Sequence, residues 1–298
     1  MKTFLRQTFL FFAIPFGVLM VVLFLLNYIN NKAMTGYKID ASVNSLFIGD
    51  SHVQCAINPA LLPDAVNLSQ SSETMLFSYF KIKYILENNP AIKRIYLGFS
   101  YHNISTYGDE FTYGKYAYDI ASRYFFILPF EQKKEIAKHT LDELPKFLGK
   151  LLINGSNTLL AKKENYSFLG AYKNGYKNVV ASKPSMDDRL SLQFYENGKQ
   201  RGFSSVNIGY LNKIMFLCKE KNIELVILKT PLHDYYISKI PFKFIEKYDS
   251  LASLNKLKVI DFGNLILNDS CYLPNGDHVS ERGAVLTTNI FKYREQHK

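Results

Sequence analysis

The chain has 298 residues, of which 47% are apolar, with 23 Phe, 21 Tyr and no Trp. That is ample for a buried core and excludes disorder as the main state, while 16 Gly and 10 Pro exclude collagen-like and low-complexity fibres. The formal net charge is +10, but the lysines are spread along the chain and no helix-turn-helix, zinc-finger or RNA-binding signature appears, so nucleic acid is not an expected partner.

No period of 20–50 residues is present, which argues against a solenoid or propeller. The three cysteines, Cys55, Cys218 and Cys271, match no zinc or CxxC spacing and read as small buried hydrophobes. No metal-ligand cluster, P-loop or GxGxxG is found, so neither metal nor nucleotide cofactor is expected.

Residues 9–26 form a run of 18 residues without a charge. As a helix this run spans ~27 Å, close to the hydrocarbon thickness of a bilayer. Lys2 and Arg6 precede it, and no acidic residue comes before Asp40. The positive-inside rule then keeps the N-terminus in the cytoplasm and exports the rest. The run exceeds a signal-peptide core, and no small-x-small cleavage site follows it, which favours an uncleaved anchor. The expected organisation is a cytoplasmic tail (1–8), a transmembrane anchor (9–27), a polar linker (28–42) and an extracytoplasmic domain (43–298).

Strands are expected at 43–48, 65–68, 94–99, 223–229 and 257–262. Helices are expected at 73–88, at 130–152 with a break near Pro145, at 208–221 and at 283–295. Strands alternating with helices imply right-handed βαβ units and a mainly parallel α/β sheet. Residues 105–205 break that alternation and are rich in Tyr, Lys and Asn. They read as an insertion over the strand ends, where open sheets bind ligands, or as a packed subdomain.

The first strand runs straight into Gly49-Asp50-Ser51-His52. The glycine permits a tight turn, and Ser51 then stands at the C-terminal edge of the sheet, where a nucleophile belongs. Asp50 reads as a turn residue rather than a base. Near the other end, LPNGDHVSERGAV places His278 in a polar loop before the last helix. A serine nucleophile needs a base of near-neutral pKa, and that base needs an acceptor for its other ring nitrogen. Asn275, three residues upstream, and Asp277, adjacent, both qualify; Asn275 is marginally favoured. His52, His102 and His233 are further pocket candidates, and Lys229 lies at a strand end where it could meet an anion.

These blocks resemble the SGNH (GDSL-like) hydrolase superfamily. Gly49-Asp50-Ser51 resembles its nucleophile block. NLSQSSET resembles its second block, with Asn67 and Thr74 matching and Ser72 where the family has the glycine whose N–H serves the oxyanion hole. IYLGFSYHN resembles the third, with Asn103 as the oxyanion donor at a longer spacing than usual. The last block, Asp-x-x-His, aligns with Asn275 to His278. The tract LVILKTPLHDYY and the N-terminal anchor are similar to the membrane-anchored branch, which includes alginate O-acetylation proteins and the D-alanyl transfer protein of the teichoic-acid pathway. The resemblance covers about 43–103 and 206–295.

It implies a three-layer α/β/α fold, flavodoxin-like in its sheet, and a single-pass protein of the bacterial cytoplasmic membrane. Its activity would be that of a serine esterase or O-acyltransferase on acylated cell-envelope carbohydrate. The implied partners are an envelope glycan or acyl donor, the lipid bilayer and a membrane-bound acyl-transfer protein. Ser51, His278, Asn275 and Asp277 would be catalytic; Ser72, Asn103, Asn67 and His52 would serve the oxyanion or substrate. Ser72, the stretched third block and Asn275 motivate the alternative, a non-catalytic binding or assembly protein on the same scaffold.

Overall fold

The computed structural model describes residues 1–160 and 166–297. Helix α1 (Lys2–Thr35) is long and apolar enough to cross a membrane, and its apolar side chains before Leu26 stand mostly exposed. It does not end in the linker expected at 28–42. It runs unbroken to Thr35, because Asn27, Asn30 and Asn31 are satisfied against the folded domain. Asn30 Nδ2 donates to the Gly155 carbonyl at 3.0 Å and Thr158 donates to Asn30 Oδ1 at 2.5 Å. Asn31 Nδ2 donates to the Phe126 carbonyl at 2.6 Å, and Lys133 Nζ to Asn27 Oδ1 at 2.5 Å.

The domain then alternates strand and helix: β1 (Ser45–Ile48), α2 (Ser51–Ala56), β2 (Ala65–Asn67), α3 (Met75–Asn88), β3 (Arg94–Gly98) and α4 (Tyr101–Ile104). The 105–205 segment follows, with α5 (Asp109–Thr112), α6 (Ala117–Tyr124), α7 (Phe130–His139), α8 (Leu144–Leu160), α9 (Lys183–Phe194) and a two-stranded antiparallel hairpin of β4 (Tyr195–Glu196) and β5 (Lys199–Gln200). Alternation resumes with α10 (Ser205–Glu220), β6 (Glu224–Lys229), α11 (Asp234–Ile237), α12 (Phe242–Leu254), β7 (Lys258–Asp261) and α13 (Glu281–Gln296). Pro145 opens α8 rather than breaking a helix; the chain turns earlier, at Thr140, where Pro145 can occupy the first turn without losing a hydrogen bond. The sequence pattern did not single out α9 and α12.

The five main strands form one sheet in the order β2-β1-β3-β6-β7, parallel throughout. This is the doubly wound order, with its switch point between β1 and β3. Both faces are buried. Leu46, Ile48, Ile95, Leu97 and Ile227 join a core on one side with α3, α10 and α12; Phe47, Tyr96, Val226, Leu228 and Ile260 join Val53 of α2 and Phe291 of α13 on the other. Burial on two sides is why these strands read as continuous apolar runs. At the switch point β1 is followed by Gly49 and β3 ends on Gly98. A Cβ on Gly98 would lie 2.3 Å from Val53 Cγ2, so its absence lets α2 seat over the strand ends.

The inserted segment is fastened to this core by a buried ion pair. Lys81 of α3 binds Glu73 and also donates to the carbonyls of Leu68 (2.7 Å) and Leu169 (2.6 Å), while Ser78 and Tyr124 donate to Glu73. Burial pushes the carboxyl up and the ammonium down, and each partner pulls the other back. Lys81→Met strands a buried carboxylate and should cost about 3–5 kcal/mol. Adding Glu73→Gln removes the stranded charge and should restore most of the melting temperature. A Lys81→Met protein that melts like the wild type would refute this account.

Candidate active site

The three loops that follow β1, β2 and β3, together with the loop before α13, meet at the C-terminal edge of the sheet. They enclose a cavity of about 280 Å³ lined by Ser51, His52, Ser72, His102, Asn103 and His278, among others. Ser51 is the first residue of α2. Asp50 is its N-cap: Asp50 Oδ1 accepts from the His52 N–H at 3.0 Å, which fixes the turn that presents Ser51, as expected of it.

The structure brings Ser51 and His278 together. Ser51 Oγ donates to His278 Nε2 at 2.7 Å, and His278 Nδ1 lies 2.8 Å from Asp277 Oδ1. Asn275 is also beside Nδ1, at 3.0 Å. With its proton on Nδ1, His278 needs an acceptor there, and the fully buried Asp277 carboxylate supplies one with charge. Asn275, marginally favoured from sequence, and Asp277 thus stand side by side on the same ring nitrogen. Asn275 stays a neighbour of the imidazole, and only its amide oxygen could accept the same proton.

Asp277 is held ionised by partners that sequence reasoning did not reach. Its Oδ2 accepts from Arg189 Nε at 2.7 Å and Gln193 Nε2 at 2.9 Å, both from α9 of the inserted segment. His52 Nε2 is 3.2 Å from the same oxygen. Burial pushes the carboxyl up, but Arg189, His278 and His52 outweigh it and hold it well below the usual carboxylate range. No motif marks Arg189 or Gln193; the only signal was an insertion placed over the strand ends.

A second network lies behind the first. Asp50 Oδ2 receives His102 Nε2 at 2.6 Å and Asn103 Nδ2 at 2.9 Å. The His52 ring stacks on His102 at 4.0 Å and packs against His278 at 4.6 Å. Asn103 Oδ1 accepts from the Ser100 N–H at 2.7 Å, and its amide group, which gives one hydrogen to Asp50, borders the cavity. Ser72 has φ +63°, the left-handed backbone that a glycine would adopt without strain, and it borders the cavity. Ser51, as the first residue of α2, has an N–H without an intrahelical acceptor.

Other candidates fall elsewhere. Asn67 was expected to touch substrate but does not line the cavity. Its amide donates to the carbonyls of Val53 (3.0 Å) and Ile57 (2.8 Å) and its Oδ1 accepts from Ser69 N–H, bracing α2 from below. Lys229 is buried against Tyr101 and Asp261. His233 caps α11 and pairs with Asp269. Among the described residues, two sets bring three metal-ligating atoms within 4.8 Å, Asp50–His52–His102 and His52–Asp277–His278. Asp50, His102, Asp277 and His278 are already hydrogen-bonded as above, whereas neither ring nitrogen of His52 has a hydrogen-bond partner among the described residues, and the Arg189 guanidinium on Asp277 opposes a cation in the second set.

No protein-family model and no curated protein matches the chain. Among solved structures, a candidate acylhydrolase from Bacteroides fragilis aligns at 11% identity and a TM-score of 0.40, over 90% of this chain and 93% of that one. A GDSL-like lipase from Bacteroides thetaiotaomicron aligns at 10% identity and 0.40, over 87% and 90%. Both likenesses are distant, and the chemistry below rests on the geometry of this chain.

The site has a consequence for stability. Burial, then the charge of neighbouring His102, hold the His52 imidazole down to about 4 against the pull of Asp50 and Asp277. Unfolded, it titrates near 6.5. Between those values the unfolded chain binds a proton that the folded chain does not, so stability falls as pH drops from about 6.5 to about 4. The full span corresponds to about 3 kcal/mol. The depressed carboxyl of Asp277 adds loss in the same direction at lower pH. Melting temperatures should therefore fall from pH 7 to pH 4, and more gently in His52→Asn. Parallel curves for the two proteins would mean that His52 is not neutral in the fold.

Proposed function

We propose that the protein is a serine esterase or O-acyltransferase of SGNH type, exported and held at the bacterial cytoplasmic membrane by α1. The observation that carries this reading is the continuous relay Ser51 Oγ–His278 Nε2 at 2.7 Å and His278 Nδ1–Asp277 Oδ1 at 2.8 Å, open to a cavity. Ser51 attacks the acyl carbonyl carbon while His278 takes its proton, and Asp277 stabilises the imidazolium. The oxyanion is met by the N–H groups of Ser51 and Ser72 and the amide group of Asn103. Collapse expels the alcohol, which recovers the proton from His278. Water or a sugar hydroxyl then attacks acyl-Ser51 by the reverse steps.

The features that favour a non-catalytic protein each have a local answer. Ser72 keeps both the backbone N–H and the left-handed φ. The longer third block is taken up by α4, which still brings Asn103 to Asp50. Asn275 is relieved by Asp277. The cavity of about 280 Å³ suits a short acyl ester, and its mixed lining, with Tyr107 and Phe111 beside Ser, Asn and His side chains, suits a carbohydrate alcohol.

Purified full-length protein should react with a fluorophosphonate and hydrolyse p-nitrophenyl acetate, and Ser51→Ala should do neither. Asp277→Asn should lower kcat by about 10²–10⁴ by favouring the wrong imidazole tautomer, while Asn275→Ala stays within about tenfold of wild type. A wild-type protein inert to both reagents would return the non-catalytic reading. A second expectation concerns chain length: rates should fall from acetate through butyrate to octanoate. A preference for octanoate would remove the short-acyl assignment.

A further inference from the structure

Where the anchor leaves the domain is set by its contacts with α3 and α8. Helix α3 starts at Met75, just past the cavity-lining Ser72, and ends at Asn88 on the opposite edge of the sheet. The chain after α1 meets that far end: Asn89 Oδ1 accepts from the Ile39 N–H at 2.7 Å, and Asn89 Nδ2 donates to the Tyr37 carbonyl at 3.1 Å. Earlier residues of α1 meet the near end. Asn31 binds the Phe126 carbonyl; two residues before it, the Tyr124 hydroxyl reaches Gln70 and Glu73; and Arg123 donates to the Ser71 carbonyl at 3.2 Å, beside Ser72. Helix α1 thus runs from the cavity side towards the far edge. Its apolar run, which precedes Leu26, projects from the cavity side.

Helix α8 lies alongside at the point of exit. A Cβ on Gly155 would meet Leu26 Cδ1 at 3.1 Å, and Thr158 pairs with Asn30, so the two helices run in the same direction. The turn of α8 just before Gly155 therefore flanks the end of the apolar run. Its inner face, Phe147, Leu151 and Gly155, is buried, whereas Leu141 in the preceding turn, Leu144 and Ile153 are 40–61% exposed. Exposed Lys138, Lys146 and Lys150 lie among them, each paired with a neighbouring carboxylate, Glu135, Glu143 and Asp119. Apolar side chains interleaved with long, ion-paired lysines, continuous with a membrane-spanning helix, suit the boundary between lipid headgroups and acyl chains.

We infer that the exposed side of α8 and its preceding turn lies in the interfacial layer of the bilayer that holds α1, so that the catalytic edge of the sheet faces the membrane. This rests on the anchor reading of α1. The substrate side follows: the acyl ester is taken from a molecule held at the bilayer surface, such as a lipid-linked glycan, rather than from polymer distant from it.

The absence of tryptophan makes the test direct. Single-Trp variants Phe16→Trp (anchor), Ile153→Trp (α8) and Phe216→Trp (α10, near the far edge) are reconstituted as full chains in phosphatidylcholine–phosphatidylglycerol vesicles containing lipids brominated either near the headgroup or deep in the chain. At a depth of about 5–10 Å, Ile153→Trp should lose more than about half its emission to the shallow quencher. Phe16→Trp should respond to the deep quencher and Phe216→Trp to neither. If Phe16→Trp is quenched and Ile153→Trp is not, the anchor stands and this inference is overturned, whether water or a protein covers α8. If Phe216→Trp is quenched as strongly as Ile153→Trp, the assigned orientation is wrong. If Phe16→Trp itself is not quenched, the anchor reading fails and the inference fails with it.

Discussion

The site is organised around one buried carboxylate. Asp277 has no exposed surface, and an isolated charge there would be prohibitively costly. It is tolerated because Arg189, Gln193, His278 and His52 all converge on it. These partners come from three parts of the chain: the turn after β1, helix α9, and the loop before α13. Ionisation of one group therefore requires the nucleophile loop, the inserted segment and the C-terminal loop to be assembled together. The same charge fixes the imidazole that faces Ser51, so internal neutralisation and the orientation of the Ser51–His278 pair are met by one set of contacts.

The inserted segment is consequently part of the site rather than an ornament on it. It supplies Arg189 and Gln193 to Asp277, and Tyr107, Phe111 and Tyr176 to the cavity wall. It is also tied to the sheet core through Lys81, which reaches the Leu169 carbonyl, and to α1 through Phe126 and Gly155. Its aromatic residues are divided between the core and the cavity wall. Tyr124 stacks on Phe77 in the core, whereas Tyr107 and Phe111 pack edge to face beside the cavity.

The strands were legible because each is buried on two faces and so reads as an uninterrupted apolar run. Ser51 and His278 were legible because each sits in a turn whose composition departs from the flanking apolar segments. What escaped depends on contacts distant in sequence. That Asp277 and Asn275 both reach Nδ1 depends on how the loop turns at Gly276, with φ +68°, and no spacing rule shows that in advance. Arg189 and Gln193 lie some 90 residues from their acceptor. Asn67 looked like a ligand-binding residue but is consumed by two carbonyls of α2. The polar stretch after the apolar run looked like a linker because Asn disfavours helix interiors. Its three asparagines instead find partners on the inserted segment.

That last feature limits how the site can move. A flexible linker would let the domain sweep a volume set by its length and meet substrates at many heights and angles. An α1 that continues into the domain and is bolted to α8 acts as a rigid stalk. The cavity then keeps one height and one tilt relative to the helix that carries it, and its remaining freedom is rotation about the stalk and lateral drift. Encounter with substrate becomes a search over a plane rather than through a volume. Under the proposed anchoring and acyl chemistry, only acyl groups presented at that single height would be reached, and the length of α1 itself would help determine which molecules are modified.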